Sequence, residues 1–152
     1  MDRISVTRHV EFEAAHMLTG YSGLCQNLHG HSYKLEVKIT CPEYDRKGNP
    51  FNFVVDFSVL NKILKDYVPD HCFIVNIMVE PDTAEWEIYQ VLKKHNMRIF
   101  TMNMSPSAEN MSKVFAHDIQ MLLNKTFPKM ECTVEKVDVW ETTNSNSTWE
   151  KV

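Results

Sequence analysis

Three histidines have the residue type and the spacing of metal ligands. His29 and His31 are separated only by Gly30, and His16 precedes them. In an extended strand, side chains at positions i and i+2 lie on the same face, so His29 and His31 can present two imidazoles to one point. An antiparallel neighbouring strand would bring His16 beside them. Three neutral imidazoles that leave a fourth position open are the ligand set of a catalytic zinc site, so the pattern predicts Zn²⁺.

Two other interpretations of these histidines stay open at this stage. A His-x-His pair is a weak motif, because two histidines on a strand are more often hydrogen-bonded or solvent-exposed than bound to a metal. Cys25 offers the second alternative, since its thiolate could be a fourth ligand and close a structural zinc site. The spacing alone does not separate a catalytic site from a structural one.

Four cysteines occur, and no two of them have a CxxC spacing. A disulfide framework or an all-cysteine zinc site therefore has little support, and reduced thiols in a reducing compartment are expected. Cys25 lies among Gly23, Gln26 and Asn27 rather than in an apolar stripe, which favours a reactive thiol over a buried one. The other three are expected to be structural: Cys41, Cys72 and Cys132.

Three segments of the sequence have the pattern of β-strands. Residues 4–12, 33–39 and 133–140 alternate apolar and polar side chains, which is typical of half-buried strands. Pro42 and residues 45–50 supply turn chemistry, so a hairpin is predicted to lead into residues 53–55. Amphipathic strands joined by hairpins and interrupted by helices predict an α+β fold with an antiparallel sheet.

Three helices are expected between and after these strands. Asp56 is expected to cap the first helix, and Pro69 ends it. The second helix is predicted over residues 82–94, with Trp86, Tyr89 and Leu92 on its buried side. The third is predicted to begin with Ser105 as its cap and Pro106 in its first turn. Its apolar stripe has helical spacing: Met111, Val114, Phe115, Ile119 and Leu122.

Length and composition set limits on the function. A chain of 152 residues with 43% hydrophobic and 24% charged residues is expected to form one globular domain. Sixteen Lys and Arg against twenty Asp and Glu give a net charge of -4, and without a long basic run no nucleic-acid partner is expected. The apolar runs are short and the N-terminus lacks the core of a secretion signal. A cytoplasmic protein without a membrane partner is expected.

Five short segments occur in the order in which one known family carries them. They are FEAAH at 12–16, CQNLHGH at 25–31, DH at 70–71, PSAEN at 106–110 and WET at 140–142. They span nearly the whole chain. By these segments the sequence resembles the 6-pyruvoyl-tetrahydropterin synthase and 6-carboxy-tetrahydropterin synthase family.

The resemblance assigns roles to individual residues. It implies that His16, His29 and His31 bind zinc and that Cys25 is the catalytic base. Without it, Asp70 and His71 would be interpreted as loop residues and Glu141 as a solvated charge at a strand end. With it, Asp70 and His71 are expected to form an acid/base unit. Glu141 is expected to anchor the pterin, with Glu109 nearby.

The resemblance also implies a fold and an assembly. The family has the tunnelling fold, or T-fold, an antiparallel four-stranded sheet with helices on one face. Three such sheets close a barrel, and two rings stack into a homohexamer with active sites at the subunit interfaces. Cys25 and His71 of one site can then come from different chains.

The substrate that the resemblance implies is 7,8-dihydroneopterin triphosphate. Three residues separate Cys25 from His29, which is similar to the carboxy branch of the queuosine pathway. This branch forms 6-carboxy-tetrahydropterin with loss of acetaldehyde and triphosphate. The alternative within the family is 6-pyruvoyl-tetrahydropterin synthase, which eliminates triphosphate without breaking a side-chain carbon bond. An alternative of another class is a non-catalytic, zinc-stabilised binding module.

Three features depart from the common family pattern. Ser107 stands where Thr is usual, and Cys72 follows His71 where another residue type is common. Residues 77–104 form a longer stretch than in compact members. This stretch is expected to be an insertion within the single domain 1–152, where it could add a helix to the pocket rim or to an oligomer contact.

Overall fold

The computed structural model describes residues 4–42 and 50–152. Within these ranges the chain forms six strands: β1 Ser5–His16, β2 His29–Thr40, β3 Cys72–Asn76, β4 Ile99–Met102, β5 Thr133–Thr142 and β6 Ser145–Glu150. Three α-helices accompany them: α1 Phe57–Tyr67, α2 Ala84–Lys94 and α3 Ala108–Thr126. A 3₁₀ turn lies at Leu24–Gln26. Among residues 4–42 and 50–152, no helix is both long enough and apolar enough to cross a membrane.

All six strands belong to one sheet with the order β4-β3-β1-β2-β5-β6. The pairs β1–β2, β2–β5 and β5–β6 are antiparallel, whereas β3 runs parallel to both β1 and β4. The α+β prediction is confirmed, and the expected set of four antiparallel strands is present. The sheet nevertheless has six strands rather than four, because β3 and β4 extend it beyond β1.

The sheet packs against helices on both faces. Alternate side chains such as Phe12, Leu35 and Ile74 form the main core with α1 and α3. Phe73 and Val75 point to the opposite face and form a second, smaller core with Met17 and the half-buried side of α2. The expected placement of all helices on one face is therefore wrong for α2, because the alternation of β3 gives both faces apolar side chains.

The helix starts follow from their caps. Asp56 caps α1 as predicted, since its carboxylate accepts hydrogen bonds from the backbone N–H groups of Ser58 and Val59. The cap of α3 is Ser107 rather than Ser105, because the Ser107 hydroxyl accepts from the backbone N–H of Asn110. The predicted strand over 53–55 is wrong. Residues 54 and 55 are buried in an irregular segment, and the predicted turn at 45–49 lies outside the described residues.

The expectation of four reduced thiols is also wrong for one pair. Cys41 and Cys132 are 4% exposed each and form a disulfide. The end of β2 meets the segment before β5 there, across a sequence separation of 91 residues. No spacing rule could indicate a contact of that range. Cys25 and Cys72 are free thiols, the first exposed and the second buried.

Candidate active site

The three histidines converge where the main core ends. In the β1–β2 register, His16 pairs with His29 and Ala14 pairs with His31. The imidazoles therefore continue the core-facing row of Phe12 and Ala14 beyond the apolar side chains. Their ring centroids lie 4.6–5.1 Å apart, and one nitrogen of each ring lies within 4.8 Å of the others.

Backbone carbonyls fix two of the three rings. His16 Nδ1 donates to the Pro106 carbonyl oxygen and His29 Nδ1 donates to the Asn27 carbonyl oxygen, each over 2.7 Å. A carbonyl oxygen can only accept, so each Nδ1 carries the proton and each neutral ring presents a lone pair at Nε2. These two Nε2 atoms face each other at 3.1 Å. Two lone pairs that face each other at this distance repel unless a proton or a cation lies between them.

The third ring, that of His31, also has a nitrogen without a partner, because His31 Nε2 is buried and forms no hydrogen bond in the segments that the structure describes. A buried polar nitrogen without a partner is costly, and native proteins rarely leave one. A cation placed between the three nitrogens would satisfy all of them, so the residues fit a bound metal ion.

Burial favours the neutral form of two of these rings, His16 and His31. Loss of solvent outweighs the raising effect of the Pro106 carbonyl and, with a smaller contribution from the neighbouring His29 and His31, lowers the pKa of His16 to about 4. Burial, followed by the proximity of His29, lowers the pKa of His31. His16 is therefore neutral at pH 7 and offers its lone pair to a cation. The His16, His29 and His31 group could bind a metal.

Glu141 reaches the edge of this group from β5. Its side chain follows Val137 and Val139 on the core-facing side, and its Oε1 lies 3.8 Å from His16 Nε2. Burial and then the nearby Glu109 carboxylate raise the pKa of Glu141, whereas His29 lowers it. Glu109 is exposed in the first turn of α3. The structure thus brings both predicted pterin-binding carboxylates to one side of the histidine group.

Cys25 lies in the 3₁₀ turn of the loop between β1 and β2. Its carbonyl oxygen accepts a hydrogen bond of 2.8 Å from the backbone N–H of Leu18, and its thiol is exposed. The potential metal-binding group found among the described residues contains the three imidazoles and not Cys25. The four-ligand set of the structural-zinc alternative is therefore not assembled.

Asp70 and His71 form a pair at the start of β3. Asp70 Oδ2 lies 3.0 Å from His71 Nδ1, and Asp70 Oδ1 accepts from the Glu13 backbone N–H over 2.9 Å. That N–H is the main cause that lowers the pKa of Asp70. His71 adopts a φ of 56°, a left-handed conformation that is uncommon outside glycine.

This pair is not part of the group of three imidazoles found among the described residues. His71 lines a groove of about 520 Å³ together with Phe73, Leu92 and Arg98, and His31 lines the same groove. Phe73 and Leu92 belong to the small core under α2, so part of the groove lies on the face of the sheet opposite the main core. The groove therefore brings His71 and one of the three metal-ligand candidates to a shared surface.

Two residues of the site were not predicted from the sequence. The carbonyl oxygen of Pro106 orients His16 across 90 positions of sequence, and a backbone carbonyl leaves no signal in residue type. Tyr33 is fully buried beside His16 and His31, and burial raises the pKa of its phenol. Its position could have been predicted, because it lies two residues after His31 on the same strand face.

Comparisons with known proteins agree with this geometry. Residues 5–151 match the family model described as 6-pyruvoyl tetrahydropterin synthase. A 6-carboxy-5,6,7,8-tetrahydropterin synthase of Haemophilus influenzae is 31% identical over 143 residues, covering 92% of this chain and 94% of that protein. One of Rickettsia bellii is 30% identical over 145 residues, covering 93% and 96%. The structure of Caenorhabditis elegans 6-pyruvoyl tetrahydropterin synthase superposes with a TM-score of 0.64 at 21% identity, covering 100% and 98%, and shows the same fold.

Proposed function

The chain belongs to the 6-pyruvoyl tetrahydropterin synthase family, and from this premise we propose that it is a zinc-dependent 6-carboxy-5,6,7,8-tetrahydropterin synthase. It converts 7,8-dihydroneopterin triphosphate and one water molecule into 6-carboxy-5,6,7,8-tetrahydropterin, acetaldehyde and triphosphate. The observation that carries the proposal is the convergence of three imidazole nitrogens within 4.8 Å at the end of the main core. The names of the curated relatives and the short spacer between Cys25 and His29 support the carboxy branch over the pyruvoyl branch.

The proposed metal ligands are His16, His29 and His31. Three imidazoles without a thiolate suit a zinc ion that keeps a position open for a ligand. When bound, Zn²⁺ acts as a Lewis acid that makes the hydroxylated side chain of the substrate more acidic. The chain itself contributes the fixed orientation, since two of the rings are held by backbone carbonyls.

Cys25 is the proposed base for the carbon-bound proton of the substrate. Its thiol is exposed and outside the metal-ligand group, so it is free to accept a proton as the thiolate. His71 is the proposed partner that moves a proton at the other end of the substrate side chain. Asp70, 3.0 Å from His71 Nδ1, holds the ring in one tautomer.

Glu141 is the proposed pterin anchor. A pterin presents an amino group and a ring N–H side by side, and a carboxylate can accept both hydrogen bonds. The half-buried Glu141 lies 3.8 Å from His16, which would place the pterin next to the metal group. Glu109 is close enough to influence the Glu141 carboxylate and supplies a second acceptor at the rim.

The proposed assembly is a homohexamer built from two trimeric rings. It is supported by the family to which the chain belongs and by the position of His71 outside the group of three imidazoles. The single domain 1–152 with an insertion at 77–104 is part of the same proposal. The cytoplasm stays the predicted compartment, which cell fractionation would test.

Product analysis tests the reaction directly. Purified zinc-loaded protein incubated with 7,8-dihydroneopterin triphosphate should release acetaldehyde and triphosphate in equal amounts. Cys25→Ala should keep the metal and the fold but lose turnover by about a thousandfold or more. Triphosphate without acetaldehyde would identify the pyruvoyl reaction instead. Metal binding without any turnover, or indifference to Cys25→Ala, would favour the non-catalytic module.

A further inference from the structure

Glu85 is a buried carboxyl group on a helix that is otherwise partly exposed. It is 0% exposed and is the buried residue of α2. Its Oε1 accepts a hydrogen bond of 2.7 Å from the backbone N–H of Asn76, at the end of β3. Its Oε2 accepts a hydrogen bond of 2.5 Å from the hydroxyl of Thr19. Burying a carboxyl group is costly unless its oxygens accept hydrogen bonds. The donors on Asn76 and Thr19 offset this cost and hold the Glu85 side chain in its position.

The Glu85 side chain does not serve α2 itself. The N-terminus of α2 is capped by Thr83, whose hydroxyl accepts a hydrogen bond from the backbone N–H of Trp86. Both hydrogen bonds of Glu85 instead leave the helix, one to β3 and one to the loop that follows β1. If Glu85 only stabilised α2, its side chain would not need to form hydrogen bonds with β3 and with the loop after β1.

Thr19 lies in the short stretch that connects the metal-ligand candidate His16 to Cys25. On one side of it, the Leu18 backbone N–H donates 2.8 Å to the carbonyl oxygen of Cys25. Two residues before it, Met17 is 8% exposed and packs in the small core with the half-buried side of α2. Helix α2 therefore holds Met17 by packing and Thr19 by a hydrogen bond, on both sides of the residue that contacts Cys25.

We propose that Glu85 is a positioning residue, which acts through Thr19 to hold the Cys25 loop in place beside the three histidines. The inference rests on the proposed function for the role of Cys25. The proposal also assigns a role to residues 77–104, because this segment contains α2 and therefore Glu85. The loop residues Leu24 to Leu28 are exposed, so the anchoring has to come from the base of the loop.

Thr19→Val is the sharpest test, because it removes the hydroxyl and keeps the shape of the side chain. Thr19→Ser keeps the donor and should behave like the unmodified protein. Thr83→Val is the matched control, since it weakens α2 at its cap without touching the link to the loop. The first readout is the alkylation rate of Cys25 by iodoacetamide, measured by peptide mass spectrometry and compared with a free peptide of residues 17–29. The second is the separation of kcat from KM.

For Thr19→Val we expect the alkylation rate of Cys25 to move at least about threefold toward that of the free peptide, because the thiol loses its fixed environment. We expect kcat to fall about tenfold with KM changed less than about twofold, because the pterin-binding carboxylates are not on this loop. Thr19→Ser and Thr83→Val should keep the alkylation rate, even where Thr83→Val lowers the melting temperature as much.

Two results would overturn the proposal. One is a Thr19→Val protein that loses melting temperature but keeps the alkylation rate and kcat. The other is an unmodified protein in which Cys25 already reacts like the free peptide. If no variant and no unmodified protein turns over dihydroneopterin triphosphate, the proposed function fails, while the alkylation rates still decide whether Glu85 and Thr19 position the loop.

Discussion

The protons of the histidine rings explain at the residue scale why this site could bind a cation. Two backbone carbonyls fix the protons of His16 and His29 on Nδ1, which turns both Nε2 lone pairs toward each other at 3.1 Å. Burial lowers the pKa of His16 to about 4, so protonation of His16 does not relieve this contact at neutral pH. Because these contacts of the chain hold the rings, binding of a metal ion would have little reorganisation to overcome.

His29→Ala tests the metal-ligand assignment. Removal of one of three imidazoles should weaken zinc binding by about a hundredfold or more, since changes to groups that merely support ligands already cost about 10–100-fold. Competition with a chromophoric chelator measures the affinity. His95→Ala, at the exposed C-terminal end of α2, is the matched control and should bind zinc like the unmodified protein. Equal affinity in the His29 variant would remove this residue from the ligand set.

The grouping of the three histidines could be predicted from the sequence. The His29 and His31 pair followed from strand periodicity, and the antiparallel neighbour then accounted for His16. The orienting carbonyl of Pro106 did not follow, because its contact depends on how the segment before α3 crosses the sheet. The position of Glu85 was also missed, since a charged residue in the first turn of a helix normally indicates an exposed side chain.

At the scale of the elements, Asp70 fixes the start of β3 against β1. Its carboxylate accepts from the Glu13 backbone N–H, while the His71 backbone N–H donates to the Glu13 carbonyl oxygen. These contacts surround the left-handed residue His71 and hold it at the rim of the groove. The element boundary thus sets the position of the proposed acid/base pair.

Asp70→Asn should destabilise the protein in a pH-dependent way. The Glu13 N–H lowers the pKa of Asp70 in the folded chain, so the unfolded chain binds the proton more tightly. The stabilisation is fully present above the unfolded pKa of about 3.9 and is lost as pH falls through the folded pKa. We expect a loss of about 1 kcal/mol or less at pH 7, which is typical of one partly exposed hydrogen bond to a charged group. Urea unfolding at pH 7 and at about pH 3 measures it, and an equal loss at both values would contradict the argument.

Periodicity predicted β1, β2, β5 and the three helices, because each has a regular apolar face. It missed β6, since Ser145–Glu150 is almost entirely polar and is a strand because it pairs with β5. It also missed β3 and β4 as parallel strands, whose pairing depends on the crossover through α2. The face covered by α2 could not be predicted, because the strand β3 is apolar on both sides.

At the scale of the whole molecule, paired variants test the proposal that Cys25 of one chain and His71 of another form a shared site. Cys25→Ala and His71→Ala should each be inactive as pure assemblies. Co-expressed in equal amounts, they should regain about a quarter of the unmodified activity, because random assembly joins an intact Cys25 to an intact His71 in that share of interfaces. Activity assays on the co-purified assembly measure it. Absence of any recovery in a mixed assembly would place both residues of a site in the same chain.

The most direct test of the central claim is the ligand set of the bound metal, measured by X-ray absorption at the zinc edge on zinc-loaded protein. We expect three nitrogen ligands at about 2.0–2.1 Å and a further nitrogen or oxygen ligand from solvent or substrate. We expect no sulfur scatterer, because Cys25 lies outside the group of His16, His29 and His31. A sulfur ligand at about 2.3 Å would show that the thiol closes the site, and the proposed chemistry would be contradicted.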